Sequence, residues 1–474
     1  MSLVRPLSIK ISNFKNVGHG CVEFPSYGSV TARAEVNEGD ITGIYGQNGS
    51  GKTSVVDSFE LLQGIFMGIP INYRIFSGML MPDCSQIEAD FLVQIEDSKY
   101  FVTYGIAISP DEASQKIRLD KETITFKERG FRWKKEHTAT ISNGAYQVVD
   151  DPFSESDAML SIEKDPVLAR VEILDATQTN INRLANYCAA RGLSMLFCDR
   201  AVQRYSLDSD GYTGTFYKIL DSLRSFATGD LIVVGVRQLG EVNSGRLIPV
   251  NIHLVDRNEV VMGCMPLFQM GEGEMPLRVF GALEKSVDAI NRVLHAIVPG
   301  LAIRVEKTNS HLDKDGVEIA EVRTYSERDG KKFLTRYESE GIKRIISLIH
   351  ALVFVYNYKG ACLVVDDLDA GIFEYLLGDL VEVLFQTAKG QIIFTSHNLR
   401  VLEMIPCKNA VFTTTNRNNR YIHMKVKGRN NNVRDSYPRA LFLGGQEEEL
   451  YTEMELDPLA YSLRDAWGAL NGGD

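Results

Sequence analysis

The chain has 474 residues, 44% of them hydrophobic, and a formal net charge of −11. That length holds two or three domains' worth of core, and the acidic balance disfavours a protein that coats nucleic acid over a broad face while allowing a local basic groove. There is no apolar run long enough to span a bilayer and no apolar signal core in Met1-Ser2-Leu3-Val4-Arg5-Pro6, and the seven cysteines form no C-x-x-C pair. The expectation is a cytoplasmic, non-membrane protein, and the cysteine pattern argues against a zinc site or a disulfide framework.

In chain order, Leu7–Ile11 alternates as a strand, Asn13-Phe14-Lys15-Asn16 follows, and Cys21–Phe24 reads as the returning strand. Asp40–Tyr45 is a short buried strand, and Thr53–Gly64 is a helix with apolar Val55, Val56, Phe59, Leu61 and Leu62. Between them, Gly46-Gln47-Asn48-Gly49-Ser50-Gly51-Lys52-Thr53 fits G-x-x-x-x-G-K-[ST] without a mismatch. Its chemistry follows from the backbone. Glycines turn consecutive N–H groups inward, and the helix N-terminus adds partial positive charge, so Gly46, Asn48, Gly49, Ser50 and Gly51 cradle a β-phosphate. Lys52 reaches the β- and γ-phosphates, and the Thr53 hydroxyl meets Mg²⁺.

Ile87–Ile108 alternates as an antiparallel meander, continued by Thr123–Phe126 and Phe131-Arg132-Trp133 around a turn at Arg129-Gly130. From about Asp157 to Pro299, Leu168–Leu184, Thr213–Phe226 and Pro276–Ile297 have helical periodicity, with β-like pieces at Leu231–Val234 and Ile248–Val255. No heptad is sustained there, so the region reads as a compact insert and not a coiled-coil arm. Leu301–Val305 and Val317–Tyr325 read as a hairpin. Helices at Gly341–Tyr356 and Ile372–Phe385 then alternate with apolar strands at Ala361–Val365, Gln391–Thr395 and Ala410–Thr413, and Ile422–Val426 closes the series. That alternation predicts a parallel sheet covered on both faces. Two basic clusters, Lys127–Lys135 and Arg417–Arg434, read as solvated hairpins before they read as a nucleic-acid patch.

Three further places carry chemistry. Cys362–Val365 ends in Asp366-Asp367, where the first acid can hold Mg²⁺ through water and the second can polarise an attacking water. Thr395-Ser396-His397 sets a histidine at the end of the next strand. Ser339 and Gly341 stand at the N-terminus of the helix before the acidic strand, which is an anion site by geometry. Each alone has an ordinary capping reading. Their order and spacing relative to the phosphate loop make them jointly specific.

With these motifs the sequence resembles the ABC-type ATPases, in the branch containing SMC, RecF and OLD-like proteins. Ile9-Lys10-Ile11-Ser12-Asn13-Phe14-Lys15 is similar to that branch's N-terminal strand, and Asp366-Asp367-Leu368-Asp369-Ala370-Gly371 to its acidic strand and D-loop. The resemblance implies an α/β P-loop NTPase fold of ABC type: a mixed sheet, an antiparallel β subdomain and a compact, mainly helical insert. Residues 1–156 and 301–474 would be the two halves of the ATPase, and 157–300 the insert. It places Lys15, Lys52 and the loop on nucleotide, Thr53 and Asp366 on Mg²⁺, Asp367 and His397 in catalysis, Asp369 in the D-loop, and Ser339 and Gly341 in the signature that grips the other subunit's ATP.

The compact insert, the end of the meander near Glu128, and Arg434 followed by Leu441-Phe442-Leu443-Gly444-Gly445 are most similar to stand-alone bacterial AAA15/AAA21-type ATPases of phage-defence systems (OLD, PARIS and AbiL types). That likeness implies a homo-oligomer, an ATP-sandwiched dimer or a higher ring, holding a nuclease or toxin effector. The alternative is a RecF-like DNA-processing ATPase. A nuclease in the same chain is disfavoured by the short stretch after His397. Two departures stand out: the family usually has Glu where Asp367 stands, and Glu340 replaces a signature glycine. The expected consequence is slow turnover. The glutamine that couples the γ-phosphate to the lid falls to Gln86 or Gln94.

Overall fold

The computed structural model describes residues 2–33, 40–130, 132–142, 145–148, 180–198, 212–244, 247–256, 259–268, 272–424, 437, 446, 448–451 and 456–470. The chain opens with antiparallel strands β1 (Ser2–Phe14) and β2 (Val17–Glu23), a short helix α1 (Tyr27–Arg33), strand β3 (Asp40–Tyr45) and helix α2 (Lys52–Phe66). Helix α3 (Tyr73–Phe76) leads to the meander β4 (Ser85–Ile95), β5 (Ser98–Asp111), β6 (Lys116–Glu128), β7 (His137–Ser142) and β8 (Ala145–Val148). Helices α4 (Asn180–Ala189) and α5 (Tyr212–Ser225), strand β9 (Leu231–Val234), helix α6 (Val236–Asn243), hairpin β10 (Leu247–Asp256) and β11 (Glu259–Phe268), strand β12 (Glu272–Pro276) and helix α7 (Leu277–Ile297) follow. The last third holds β13 (Leu301–Leu312), β14 (Glu318–Arg328), β15 (Lys331–Leu334), α8 (Glu340–Asn357), β16 (Cys362–Val365), α9 (Glu374–Thr387), β17 (Gln391–Thr395), α10 (Leu399–Met404), β18 (Ala410–Thr413), β19 (Tyr421–Ile422) and α11 (Leu456–Leu470).

Two sheets carry the architecture. The first has seven antiparallel strands in the order β2-β1-β4-β5-β6-β7-β8. The second has six, in the order β19-β18-β3-β17-β16-β9, parallel except at β19. Its strands are short and buried on both faces, as covered parallel strands must be. Ile44, Cys362, Val364, Ile393 and Val411 face one core, shared with α2 and the antiparallel sheet. Ile41, Leu363, Val365, Ile392 and Phe394 face another, shared with α7, α8 and α9. The fold class implied by the resemblance is the one observed: an α/β P-loop NTPase fold of ABC type, with helices outweighing strands in the described part of 157–300.

The sequence assigns all of 157–300 to an insert, and here the structure corrects it. Strand β9 pairs in register with β16, Leu231 to Cys362 through Val234 to Val365, so this stretch supplies the edge strand of the nucleotide-binding sheet. Four consecutive apolar residues are what a two-sided parallel sheet accepts, wherever in the chain they lie. No helix among the described residues is long and apolar enough to cross a membrane. The stretch around Asp157, the C-terminal Leu441–Gly445 motif and Arg434 lie outside the described residues.

Candidate nucleotide site

The parallel strands end together, and Asp366, Asp367 and His397 lie just past the ends of β16 and β17. The phosphate loop leaves β3 at Gly46 and enters α2 at Gly51. A side chain at Gly46 is impossible without rebuilding, because a Cβ there would lie 1.6 Å from Thr413 Oγ1 on β18. Ser50 is held at the same place, its hydroxyl bonded to Thr413 Oγ1 and to the Gln47 carbonyl. Asn48 and Gly49 are exposed at the loop's tip. The Gly51 carbonyl accepts from the Tyr421 hydroxyl at 2.7 Å, which ties the loop to β19. Lys52 is buried and donates to the Gly46 and Gln47 carbonyls at 3.0 Å each, curled over its own loop. Burial pulls its ammonium below the ordinary lysine range, while Asp367, Asp366 and Asp369 pull it back up.

The acids stand opposite. Asp366 is anchored at β16's end by its N–H, which donates to Val234 of β9 at 2.9 Å. Its Oδ1 accepts from the Thr395 hydroxyl at 2.6 Å, and its buried Oδ2 has no partner among the described residues. A bare carboxylate oxygen beside a phosphate loop, with half-buried Thr53 heading α2, is a donor set that fits Mg²⁺. Asp367 follows in the left-handed region, φ 45°, with its N–H donating to Thr395 Oγ1 at 2.8 Å. Aspartate tolerates that conformation better than most residues because its short side chain can satisfy the local backbone. The turn therefore gives a backbone reason for the shorter acid. Burial raises the Asp367 carboxyl above the ordinary range, and Asp366 and Asp369 push the same way.

Asp369 accepts from the His397 N–H at 3.2 Å, which fixes the D-loop to the end of β17. Burial and then Lys52 hold the His397 imidazole below its usual value against three neighbouring acids. Ser339 caps α8, its Oγ accepting from the Ile342 N–H at 3.3 Å, and it is exposed. Gly341 is packed on the D-loop: a Cβ there would lie 2.2 Å from the Gly371 carbonyl oxygen. The start of α8 and the turn at Gly371 are thus packed directly on one another. Lys15 forms an ion pair with Asp57 on α2, so its ammonium lies against the helix that the loop feeds.

Two residues escaped the sequence reading. Arg344 on α8 is 1% exposed and donates from Nη2 to the carbonyl of Asp366 at 2.8 Å and, more weakly, of Asp367 at 3.4 Å. Burial lowers it to about 10, against the pull of Asp367, Asp366 and Asp369. A charge among Ile342, Ile345 and Ile346 on a buried helix was the available signal. Arg237 was the other, two residues past the glycine that ends β9 and paired with Glu60 of α2. Gln86 and Gln94 both lie on β4 of the antiparallel sheet, where Gln86 lines an open groove with Lys10 and His19, and Gln94 donates to the Glu96 carbonyl. The edge position beside Asp366 belongs to β9.

Two cations of the first basic cluster are paired with acids and a third is stacked on a ring. Lys127 lies 3.6 Å from Glu136, Lys134 lies 2.6 Å from Glu128, and Arg129 stacks on Trp133. Phe131 lies outside the described residues, as does the second cluster beyond residue 424. Arg420 is buried beside the phosphate loop and donates to the Asn16 and Thr414 carbonyls.

Residues 8–188 match a family model described as an AAA domain. No curated protein matches the sequence. Solved structures similar to the chain include an SMC head bound to the C-terminal winged-helix domain of ScpA, at 10% identity and TM-score 0.35 over 89% of this chain and 98% of that one. They also include the SMC head domain from Thermotoga maritima, at 11% and 0.32 over 89% and 100%. A third is the Pyrococcus furiosus SMC head with an extended coiled coil bound to the C-terminal domain of ScpA, at 12% and 0.37 over 90% and 97%.

Proposed function

We propose that this protein is an ABC-type ATPase that binds ATP with Mg²⁺, hydrolyses it slowly between two copies of the chain, and uses the nucleotide state to control a partner effector. The observation that carries the reading is the meeting of Lys52, the Asp366 oxygen left bare among the described residues and the left-handed Asp367 past the ends of β3 and β16, the parallel strands on either side of β17. Mg²⁺, when bound by Thr53 and Asp366, would neutralise phosphate charge. The chain's own work is to hold the phosphates on loop N–H groups and Lys52, and to orient the attacking water with Asp367. His397 contributes a neutral imidazole near the γ-phosphate.

Sharing between two copies rests on Ser339 and Gly341, which are exposed or half-buried on the surface that carries the D-loop. A γ-phosphate held there in trans would be lost on hydrolysis, and the pair would loosen. Phage defence with a nuclease or toxin effector is the biological setting supported by the sequence resemblance.

The experiment is a mixing test. Lys52→Ala and Ser339→Arg are each inactive alone, and together, after subunit exchange, form one intact composite site per pair and regain part of the turnover. No recovery despite exchange and intact folding refutes the shared site. ATPase stimulation by duplex DNA, without any effect of ATP on a co-purified effector, would favour the DNA-processing reading instead.

A further inference from the structure

We propose that Glu274, His311 and Glu321, on three neighbouring strands far along the chain from the phosphate loop, bind a divalent transition metal ion of the zinc class. One ligand atom from each lies within 4.8 Å of the others. The three belong to the sheet ordered β12-β14-β13, whose inner face buries Met275, Ala320, Val322 and Ile303. Alternation puts Glu274 and Glu321 on the outer face, directly opposite one another across the β12–β14 pair.

His311 reaches that face only through a bulge. Up to Lys307, odd residues of β13 point inward, as Leu301 and Ile303 do, and Glu306 points outward opposite Arg323. The register then shifts between Lys307 and Asn309, so that Asn309 opposes Glu321 and His311 opposes Ile319. One extra residue flips the faces of everything after it. Without it His311 would point to the side where Ala320 is buried. With it, His311 Nδ1 lies 3.9 Å from Glu321 Oε1.

The same face pairs opposite charges in one row and sets two acids against each other in the next. In the adjacent row Arg323 Nε donates to Glu272 at 2.7 Å, while Glu306 takes Lys332 and the Tyr325 hydroxyl. One row on, two carboxylates face each other, with the Asn309 amide and the His311 imidazole beside Glu321. Like charges directly opposite on paired strands destabilise a sheet. Among the described residues neither Glu274 nor Glu321 pairs with a lysine or arginine. One imidazole nitrogen and two carboxylate oxygens suit zinc, which takes such donors at about 2.0–2.2 Å and leaves a fourth position to water, better than they suit magnesium or calcium with their all-oxygen shells. The side chains are exposed enough to close on an ion by rotation. No cysteine takes part, so the scattered thiols carried no signal of this site. The same β14 runs through β15 towards Ser339, so an ion here would pin three strands of the sheet that leads into α8.

The test uses the full chain, stripped with EDTA and free of nucleotide, titrated with cobalt(II) and competed with zinc. The wild type is expected to show visible ligand-field absorption from nitrogen and oxygen ligands without a thiolate charge-transfer band, and His311→Ala to bind zinc at least about tenfold more weakly. Glu274→Gln supplies a sign reversal: it raises the thermal midpoint in EDTA, by removing one of two opposed charges, and forfeits the zinc-induced rise of the wild type. Equal zinc stoichiometry and affinity in the wild type and both variants, or no saturable binding by the wild type, overturns the proposal.

Discussion

The two large sheets spend their polar residues in opposite ways. In the antiparallel sheet buried acids are saturated. Asp90 accepts from Ser8 and Thr103 at 2.6 Å each, and Glu122 from Tyr104, Ser194 and the Met195 N–H. At the ends of the parallel sheet the reverse holds. Among the described residues Asp366 keeps a bare oxygen and Arg344 keeps Nε and Nη1 unpaired, and Asp367 sits in a left-handed turn. Leaving buried polar groups unmade costs about 1–3 kcal/mol each, and at the strand ends a bound ligand would complete them. The contrast holds for the acids, while Arg5 on β1 keeps Nε and Nη1 unpaired among the described residues in the antiparallel sheet.

The sharpest way to break the contrast is to remove the charge at the site's centre. Lys52→Ala is expected to cut ATP turnover by about a hundredfold or more, the scale of losing one preorganised electrostatic contact. Its effect on thermal unfolding should be slight, because among the described residues Lys52 bonds to two carbonyls of its own loop. The measurement is steady-state phosphate release beside a melting curve. A variant that melts early and retains turnover per folded molecule would place Lys52 among the structural groups.

Gly341→Ala comes next, with turnover expected to fall about tenfold or more. The added carbon would lie 2.2 Å from the Gly371 carbonyl oxygen, so α8 and the D-loop must separate, and a misplacement of about 1 Å at a reacting group can cost about a hundredfold. If alanine leaves turnover intact, the close fit of signature and D-loop is packing and nothing more.

Much of this was legible in the sequence, and the reason is physical. The phosphate loop, the Asp366-Asp367 pair and His397 each end an apolar strand, and a parallel sheet buried on both faces writes its strands as uninterrupted apolar runs. Asp40–Tyr45 and Gln391–Thr395 are strands with the limits that the sequence predicts. What the text could not supply was pairing over distance. Leu231–Val234 is visible as a β-like piece, but only hydrogen bonding to Cys362–Val365 makes it the strand beside the acids. Arg344 was hidden for a related reason: a charged residue in a helix reads as solvated until the carbonyls that take its hydrogen bonds are known.

On the scaffold side, Glu122→Ala is expected to destabilise the fold by about 1–3 kcal/mol, since it strands the Tyr104 and Ser194 hydroxyls and the Met195 N–H in a dry interior. Turnover per folded molecule should hold, as the partners of Glu122 among the described residues are Tyr104, Ser194 and Met195, none of them in the loop or beside the acids. Urea unfolding paired with ATPase assays below the transition checks both halves. Loss of turnover in fully folded protein would show that the two sheets do not divide labour as their hydrogen bonds suggest.

The smallest effect is the most diagnostic, because its sign is fixed by electrostatics. Asp367 has a folded pKa above its unfolded value, raised by burial and by Asp366 and Asp369. Such a group binds more protons in the folded state, so the stability it contributes is present below the unfolded pKa and is lost as pH rises through the folded one. Wherever Asp367 is ionised it therefore costs the folded state. Asp367→Asn keeps the left-handed turn, which asparagine also tolerates, and removes the charge. It is expected to melt slightly above the wild type at pH 7, with the gap closing as pH falls towards the ordinary aspartate range, and to have lost turnover at every pH. Added Mg²⁺ should narrow the neutral-pH gap, since a cation on Asp366 compensates the same repulsion that the substitution relieves. If Asp367→Asn is instead less stable at pH 7, the carboxylate is held by favourable contacts in the folded chain, and the acids at this strand end belong with the saturated groups of the other sheet.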